Sequence, residues 1–305
     1  MVAFTRIDRS DGLIVKRFVN VFKAGGVRGV LSAAARRIRT PHAKSFAKCR
    51  EMVRDGIGIE IGGPSSLFAW GGIIPVYRHA RRIDNVNFAG KTIWEGTIEE
   101  GNSFKFYSRK APGKQFLAEG ADLQVIPSGK YYFVLSSHML EHTANPLRAL
   151  AEWRRVLKPG GALVLVVPAR DGAFDHRRPV TTMSHLIEDF EKNVGEDDLT
   201  HLEEVLQLHD LSKDPGAGDA GKFRERAERN AEFRSIHHHV FDTRLAVDAV
   251  FHAGFDLVAA EGLKPCHIVV LARKPVEGGA ASPFDGDVLR EALRTSPFQS
   301  DRQAS

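Results

Sequence analysis

The sequence has 305 residues, of which 43% are apolar and 27% charged, and its formal net charge is +5. This length suits one sizeable α/β core with additions, and no apolar run approaches the roughly 18 residues of a membrane span. Charged residues from Arg6 to Asp11 interrupt any secretory signal, and Cys49 and Cys266 match no metal or redox spacing. We therefore expect a cytoplasmic protein with buried, unpaired thiols.

The positive charge is concentrated in residues 1–50, which hold twelve Lys or Arg and only two Asp. Within this basic helical arm, residues 13–39 mix apolar positions with cations, and Gly25 and Gly26 divide them into two predicted helices. Such a basic amphipathic pair could contact the inner face of an anionic membrane. The alternative is a helical pair that packs on the domain or contributes to a dimer.

Residues 51–170 alternate between predicted strands and helices. Apolar spacing predicts a first helix over Lys44 to Val53, and Asn145 and Pro146 begin a later helix that Gly160 and Gly161 end near Lys158. The predicted strands are Gly56 to Gly62, Arg81 to Phe88, Gln115 to Ala118, Tyr131 to Ser137 and Ala162 to Pro168. Continuous apolar runs in these strands predict a parallel sheet that is covered on both faces.

The pattern breaks down over residues 171–240, which are polar, charged and rich in histidine. We predict an inserted helical cap here, where substrate recognition on a rigid scaffold is usually found. Residues 241–275 return to the core with a helix over Asp242 to Ala253 and two strands, over Phe255 to Glu261 and Cys266 to Arg273. Residues 276–305 have the composition of a disordered tail.

The turn after the first strand is the first candidate binding element. Gly62 and Gly63 allow the backbone to approach a ligand, and Glu60 supplies an acceptor at the end of the strand. A nicotinamide cofactor would favour GxGxxG at this point, but Pro64 and Ser65 replace the later glycines. A ligand without phosphate, such as S-adenosylmethionine (SAM), fits this turn better.

Later strand ends add polar groups at the same predicted edge of the sheet. Asp84 and Asn87 lie where a ribose diol could be held, and Asp122 follows the third strand, where it could accept from an adenine amino group. Each acidic residue alone is more often a solvated loop carboxylate. Their coincidence at successive strand ends favours a binding site.

The most specific motif is YYFVLSSHMLEHTANPLRALAEWRRVLKPGGALVLVVP, from Tyr131 to Pro168. It closely resembles the type 11 family of class I SAM-dependent methyltransferases, whose members share the succession of strand, LEH, helix, LKPGG and strand. EIGGPSS and DNVNF resemble a branch of that family, so the resemblance covers about residues 56–170 and 237–274. It implies a Rossmann-like, doubly wound, seven-stranded sheet with the last strand antiparallel.

The resemblance also assigns residues to the cofactor. It places Glu60, Gly62 and Gly63 on the methionine and ribose side, Asn87 at the ribose-binding acid, and Asp122 at adenine, while Ser137 and His138 approach from the fourth strand. Pro64 and Ser66 depart from the motif glycines. Asn87 is uncharged, which leaves Asp84 as an alternative ribose partner.

Nine of the thirteen histidines lie between His138 and His239. A hydroxyl acceptor needs a base as the new bond forms, and histidine has a suitable pKa. We take His142, His239 and His138 as candidate bases; packing and capping, or metal binding with Glu141, are the other roles for His142. No zinc-finger or HExxH spacing is present, so we expect no metal.

The predicted function is methyl transfer from SAM to a hydroxyl, of a glycan or glycolipid of the cell envelope. The polar cap, the basic arm and the family analogy favour that acceptor. A small aromatic or quinone substrate is the enzymatic alternative, and a non-catalytic SAM-binding or membrane-docked adaptor is the other class. No nucleic acid is expected, because SSHM stands where a base-flipping motif would follow the fourth strand.

Overall fold

The computed structural model describes residues 42–93, 95–276 and 286–303, so the predicted basic helices of residues 13–39 lie outside the described part. The strands within it are β1 (Ile57–Ile61), β2 (Arg82–Asn87), β3 (Lys91–Thr92), β4 (Gly96–Thr97), β5 (Gly101–Phe104), β6 (Gly113–Leu117), β7 (Tyr131–Ser137), β8 (Leu157–Pro168), β9 (Asp256–Leu263) and β10 (His267–Arg273).

The helices of the described residues fall into core, insertion and C-terminal groups. They are α1 (Phe46–Val53), α2 (Pro146–Val156), α3 (Met183–Glu191), α4 (Leu202–Leu208), α5 (Ala220–Glu228), α6 (Asn230–Phe233), α7 (Thr243–His252), α8 (Gly286–Thr295) and α9 (Gln299–Gln303). Short 3₁₀ turns occur at Tyr77–His79, Leu140–His142, Arg170–Gly172 and Leu211–Lys213. No helix in these described ranges has the length and apolarity to cross a membrane.

Eight strands form one sheet in the order β5-β6-β2-β1-β7-β8-β10-β9. Strands β6, β2, β1, β7 and β8 are parallel, whereas β10 is antiparallel to both β8 and β9. The predicted doubly wound sheet with an antiparallel last strand is confirmed. The predicted seven strands are joined by an eighth, the edge strand β5, which pairs antiparallel with β6. Its sequence, GNSF, lacks the apolar alternation that would have identified it.

Apolar side chains cover the sheet on both faces. On one face Ile59 and Leu163 pack with Trp153 of α2 and with α7, and on the other Phe133 packs with Val53 of α1. The indole Nε1 of Trp153 donates to the Gly120 carbonyl oxygen at 2.9 Å. Helix α2 therefore fixes the turn that follows β6, at the edge where ligands bind in open α/β sheets.

Helix α2 begins as predicted but ends early. The side chain of Asn145 accepts from the Arg148 backbone N–H, and Pro146 is the first helical residue. The helix ends at Val156 rather than Lys158, because Leu157 is already extended and pairs with Tyr131 of β7. The KPGG segment thus begins β8 instead of ending the helix.

Residues 171–240 contain α3 to α6, joined by turns. Arg178 is buried inside this insertion. Its guanidinium donates to the His237 carbonyl oxygen at 2.7 Å and to Glu204 Oε1 at 2.7 Å. These hydrogen bonds replace the contacts with water that the buried guanidinium has lost. Arg178 therefore connects the segments of the insertion that carry Glu204 and His237.

The prediction of a disordered tail over residues 276–305 is wrong for its described part. Residues 286–303 form α8 and α9, and Leu289, Leu293 and Phe298 are buried. Asp301 accepts from the backbone N–H of Thr243 at 2.9 Å. The glycine and alanine residues before α8 led to a prediction of disorder for the whole tail. Helix α8 is nevertheless amphipathic, and its apolar side packs on the core.

Candidate cofactor cleft and histidine cluster

A cleft of about 630 Å³, counting space open to solvent, lies at the carboxyl ends of β1, β2, β6 and β7. Its floor consists of strand-end residues, and its roof comes from two residues of the insertion. The floor residues are Ile61, Gly62, Val86, Asn87, Phe88, Ala118, Glu119, Gly120, His138 and Met139; the roof residues are Glu196 and Arg234. Thr92, Glu95, His142 and Thr143 complete the lining.

Gly62 lines the floor of the cleft directly after β1. Its backbone has a φ of +78°, and its N–H donates to the Val86 carbonyl oxygen at 2.8 Å. A Cβ here would stand 3.0 Å from Met139 Cγ, and one on Gly120 would stand 2.1 Å from Met139 Cε. The two glycines therefore leave the room that the Met139 side chain occupies, and a Cβ at either position would displace it.

Glu60 does not line the cleft but organises the turn beside it. The Tyr77 hydroxyl donates to Glu60 Oε2 at 2.7 Å, and the Ser65 backbone N–H donates to Oε1 at 2.9 Å. Burial raises the pKa of Glu60 to about 7, against the lowering effect of the Tyr77 hydrogen bond. No sequence motif predicted a role for Tyr77, because Glu60, its hydrogen-bond partner, lies on the other side of the glycine turn.

The other residues of this turn are likewise positioned by Glu60. A Cβ on Gly63 would stand 2.3 Å from Glu60 Cδ, which explains the second glycine by packing. The Ser65 hydroxyl bonds the Ser137 hydroxyl at 3.1 Å and so joins the turn to β7. Gly63, Pro64, Ser65 and Ser137 lie outside the lining. They support the cleft instead of forming its wall.

Asn87, not Asp84, faces the cleft at the end of β2. Asp84 is fully buried and accepts from the Tyr131 hydroxyl at 2.9 Å and the Lys114 N–H at 2.9 Å. Asn87 lines the cleft, and its Oδ1 accepts from Asn85 Nδ2 at 2.5 Å and from Gln115 Nε2 at 3.0 Å. This amide network holds Asn87 in place, and only the pairing of β2 with β6 brings it together.

Asp122 does not line the cleft. Its side chain is 42% exposed and lies 3.9 Å from Arg148 Nη2. The turn after β6 instead presents Glu119, which lines the cleft. The Asp122 backbone N–H donates to the Glu119 carbonyl oxygen at 3.0 Å, and this tight turn points the two carboxylates to different surroundings.

Arg234 joins the roof to the floor. Its guanidinium donates to Glu119 Oε1 at 2.6 Å and also bonds Glu196, and it lies 5.3 Å from the ring centre of Phe88. Burial raises the pKa of Glu196 to about 7, with Arg234 opposing, and it also raises the pKa of Glu119. The sequence did not indicate this bridge, since its members are far apart in the chain.

Two of the three predicted bases line the cleft. His138, at a φ of +51°, lies 2.9 Å from His267 between Nε2 and Nδ1, and burial followed by His267 lowers its pKa to about 3. The Nδ1 of His142 donates to the Ile236 carbonyl oxygen at 2.8 Å. Burial holds the pKa of His142 well below its usual value. Both imidazoles are therefore neutral at pH 7.

The buried side chain of His237 packs against His142 and lies between two carboxyl groups, those of Asp175 and Glu141. The ring of His237 meets that of His142 edge-on at 4.6 Å, and its Nδ1 lies 2.7 Å from Asp175 Oδ2. Its Nε2 is 3.9 Å from Glu141 Oε1. Burial raises the pKa of Glu141 to about 7; burial lowers that of His237, but Asp175 and Glu141 outweigh it and raise the net value.

His239 is not at the cleft, so the structure does not support it as a base. It is buried, and its Nε2 lies 3.2 Å from the Ala144 carbonyl oxygen. It belongs instead to a group with His185 and His201 inside the insertion. His237 and His239 both lie in the extended segment before α7 but have different surroundings. The alternation of side chains along an extended segment could not distinguish them.

The sheet order and the cleft at its switch point define a Rossmann-like fold of the class I SAM-dependent methyltransferase type. A family model described as a methyltransferase domain matches residues 90–165, so this part of the chain is a methyltransferase domain. The predicted class, enzyme activity and cofactor are thereby confirmed.

Solved structures of other methyltransferases show similarity at low identity. A SAM-dependent methyltransferase from Mesorhizobium loti is 13% identical with a TM-score of 0.43, over 76% of this chain and 98% of that one. The Burkholderia thailandensis 1,6-didemethyltoxoflavin-N1-methyltransferase, with bound 1,6-didemethyltoxoflavin and S-adenosylhomocysteine, is 12% identical with a TM-score of 0.43, over 90% and 93%. The comparison with curated proteins gives no match.

Proposed function

We propose that this methyltransferase transfers its methyl group to a hydroxyl, with His142 as the general base. The observation that carries the proposal is the tautomer of His142 at the lining of the cleft. A carbonyl oxygen can only accept, so the bond to Ile236 places the ring proton on Nδ1 and makes Nε2 the proton acceptor. The lowered pKa keeps this ring neutral, as a base must be before reaction.

The cleft fits SAM by the chemistry of its lining. Gly62 and Gly120 both line the cleft without a side chain, so a ligand can lie close to the backbone there, and the amide of Asn87, held by Gln115, suits a ribose diol. We propose that Gly62, Asn87, Glu119 and His138 contact the cofactor, while Glu60, Gly63, Pro64, Ser65 and Ser137 position the turn around it. SAM supplies an already activated methyl group.

The remaining work falls to the residues of the chain. They must hold the acceptor oxygen in line at near-attack distance and remove its proton as the bond forms. His142 takes the proton at Nε2, and His237, fixed by Asp175, packs against the ring and keeps its orientation. The roof residues Glu196 and Arg234 limit the access of water.

For the acceptor we propose a glycan or glycolipid. Three carboxyl side chains, Glu95, Glu119 and Glu196, and the guanidinium of Arg234 line the cleft, with Phe88 as the only phenyl ring among the described lining residues. Carboxylates and guanidinium groups bond sugar hydroxyls, whereas a flat aromatic acceptor would need more stacking surface.

Turnover by His142→Ala tests the base. We expect kcat to fall by about 100-fold or more, with the SAM affinity measured by calorimetry within threefold of wild type as an approximate bound. The control is His176→Ala, a histidine of the insertion that pairs with Asp210 away from the lining. Equal turnover of the His142 and His176 variants would reject the assigned base.

The acceptor class is tested separately by mass spectrometry. Cell-envelope extracts, and matched panels of phenolic and quinone compounds, would be incubated with enzyme and SAM and searched for a gain of about 14 Da, one added CH₂. A gain confined to saccharide hydroxyls supports the proposal. Methylation of phenols alone, or of nitrogen alone, would contradict it.

A membrane contact of residues 1–50 belongs to the same proposal, because a glycolipid acceptor would be presented at a surface. The net basicity of this segment suits anionic lipid. Flotation of the full chain with anionic and with neutral vesicles tests the contact. Failure to float with anionic vesicles would remove the membrane part and leave the hydroxyl chemistry untouched.

A further inference from the structure

Four side chains of the insertion converge on one point away from the cleft lining. His185 and Asp189 lie one helical turn apart on α3, His201 immediately precedes α4, and His239 precedes α7. One ring nitrogen from each of the three histidines lies within 4.8 Å of the others. The carboxylate of Asp189 approaches two of them.

The separations match the coordination shell of a small cation. His185 Nε2 and His201 Nε2 are 3.0 Å apart, and Asp189 Oδ2 lies 3.4 Å from His185 Nε2 and 3.7 Å from His239 Nε2. Ligands at zinc bond lengths of about 2.0–2.1 Å in a tetrahedron are about 3.3 Å from one another. The three separations bracket this value, and the nitrogens of the three histidines all lie within 4.8 Å of one another.

A second observation is the state of Asp189 itself. Its side chain is only 11% exposed, and Oδ2 accepts no hydrogen bond from any residue that the structure describes. A buried carboxylate oxygen without a donor costs free energy that a cation would recover. The oxygen points at His185 and His239, so its missing partner belongs in the middle of the cluster.

We propose that His185, Asp189, His201 and His239 bind one Zn²⁺ ion as a structural site. Imidazole nitrogen and carboxylate oxygen are ordinary zinc ligands, and four protein ligands close the shell. Binding of the ion at His239 Nε2 breaks the hydrogen bond of this nitrogen to the Ala144 carbonyl oxygen and moves the ring proton to Nδ1. The proposal does not depend on the acceptor or on the base.

The site would fix the part of the insertion that carries the roof. Asp189 and His201 bracket the segment that contains Glu196, and the Asp189 carbonyl oxygen accepts from Asn145 Nδ2 at 2.9 Å on the core. An ion held by both ends of this segment and by His239 ties α3 and α4 to the core. The sequence could not show this because the ligands follow no short zinc spacing.

Metal binding by the full chain tests the proposal. After treatment with a chelator, Zn²⁺ alone is added back and its stoichiometry is measured by competition with a chromogenic chelator. We expect one ion per chain, a Tm higher by about 5 °C at 100-fold excess over Kd, and visible bands of tetrahedral Co²⁺ on substitution.

The variants are His201→Gln, on the partly exposed side of the cluster, and Asp189→Asn, which keeps the shape of the carboxylate. Each should weaken Zn²⁺ binding by about 100-fold or more and remove the rise in Tm. His176→Gln, from a histidine–aspartate pair elsewhere in the insertion, is the matched control and should bind like wild type.

Circular dichroism identifies folded variants, and the isosteric Asp189→Asn serves if His201→Gln does not fold. The absence of stoichiometric binding by the folded wild-type chain would overturn the proposal. So would unchanged binding by a folded variant, since the ion would then lie elsewhere, for example at Glu141, His142 and His237.

Discussion

The floor and the roof of the cleft are held by different forces. The floor residues continue parallel strands whose side chains are buried on both faces of the sheet, so apolar packing fixes them. The roof consists of two charged residues, and Arg234 connects it to Glu119 and Glu196. We therefore expect the apolar part of the floor to depend little on pH and salt, whereas the roof and its floor partner Glu119 depend on the charge of a few partly buried groups.

The largest expected effect is on the roof. Arg234→Ala would leave Glu119 and Glu196 close together without their shared cation, and we expect the free energy of unfolding to fall by about 3 kcal/mol. Urea unfolding followed by circular dichroism measures it. The control Arg229→Ala removes an exposed arginine that pairs with Glu232, at a cost below about 0.5 kcal/mol. Equal losses for the two variants would contradict the ion pairs that we assign to Arg234 in the roof.

The second prediction concerns the buried carboxyl group of Glu141, a residue whose backbone carbonyl oxygen accepts from the His238 N–H of the insertion at 2.8 Å. Its pKa is raised to about 7 by burial, so the folded chain holds this proton more tightly than the unfolded chain. Its contribution to stability is full below pH 4.5, the ordinary value, and is lost as the pH rises through 7.

Glu141→Gln removes this titration. Relative to the variant, the wild type should lose about 2–3 kcal/mol of unfolding free energy between acid and pH 8, as measured by urea unfolding at several pH values. Glu203→Gln, on the exposed side of α4, should keep the wild-type slope. Parallel profiles for wild type and Glu141→Gln would contradict the buried, protonated carboxyl.

The third prediction tests the floor through its backbone. Gly62→Ala places a Cβ at a φ of +78° and 3.0 Å from Met139 Cγ, and we expect SAM affinity to weaken by about tenfold or more. Gly129→Ala is the matched control, because Gly129 has a φ of +63° and no neighbour within 4 Å of an added Cβ. If both variants bind SAM equally in calorimetry, Gly62 acts only through strain.

The smallest expected effect is on SAM affinity, and it distinguishes Asn87, which lines the cleft, from Asp122, which does not. Asn87→Ala should weaken SAM binding by up to about tenfold, the value of one hydrogen bond. Asp122→Ala should change it by less than about twofold, because Asp122 is half-exposed and faces Arg148 outside the lining. A larger loss for Asp122 than for Asn87 in calorimetry would restore Asp122 as a cofactor contact.

Most of the floor could be predicted from the sequence, since it rests on local patterns. Strand β7 has the predicted bounds, and Gly62, Asn87 and His138 face the cleft as expected. The errors follow from turns: Asp122 and Glu119 occupy one short turn, and only its folded shape decides which carboxylate faces inward.

The sequence alone determined the class of sheet, because apolar periodicity acts over a few residues, and its resemblance to a methyltransferase family over Tyr131 to Pro168 implied the antiparallel last strand and the use of SAM. The tertiary structure decided the partners of Arg234 and Arg178, the separate surroundings of His237 and His239, and the cluster around Asp189. Those contacts join residues far apart in the chain. Their geometry comes from the folding of the insertion onto the core, which no short motif encodes.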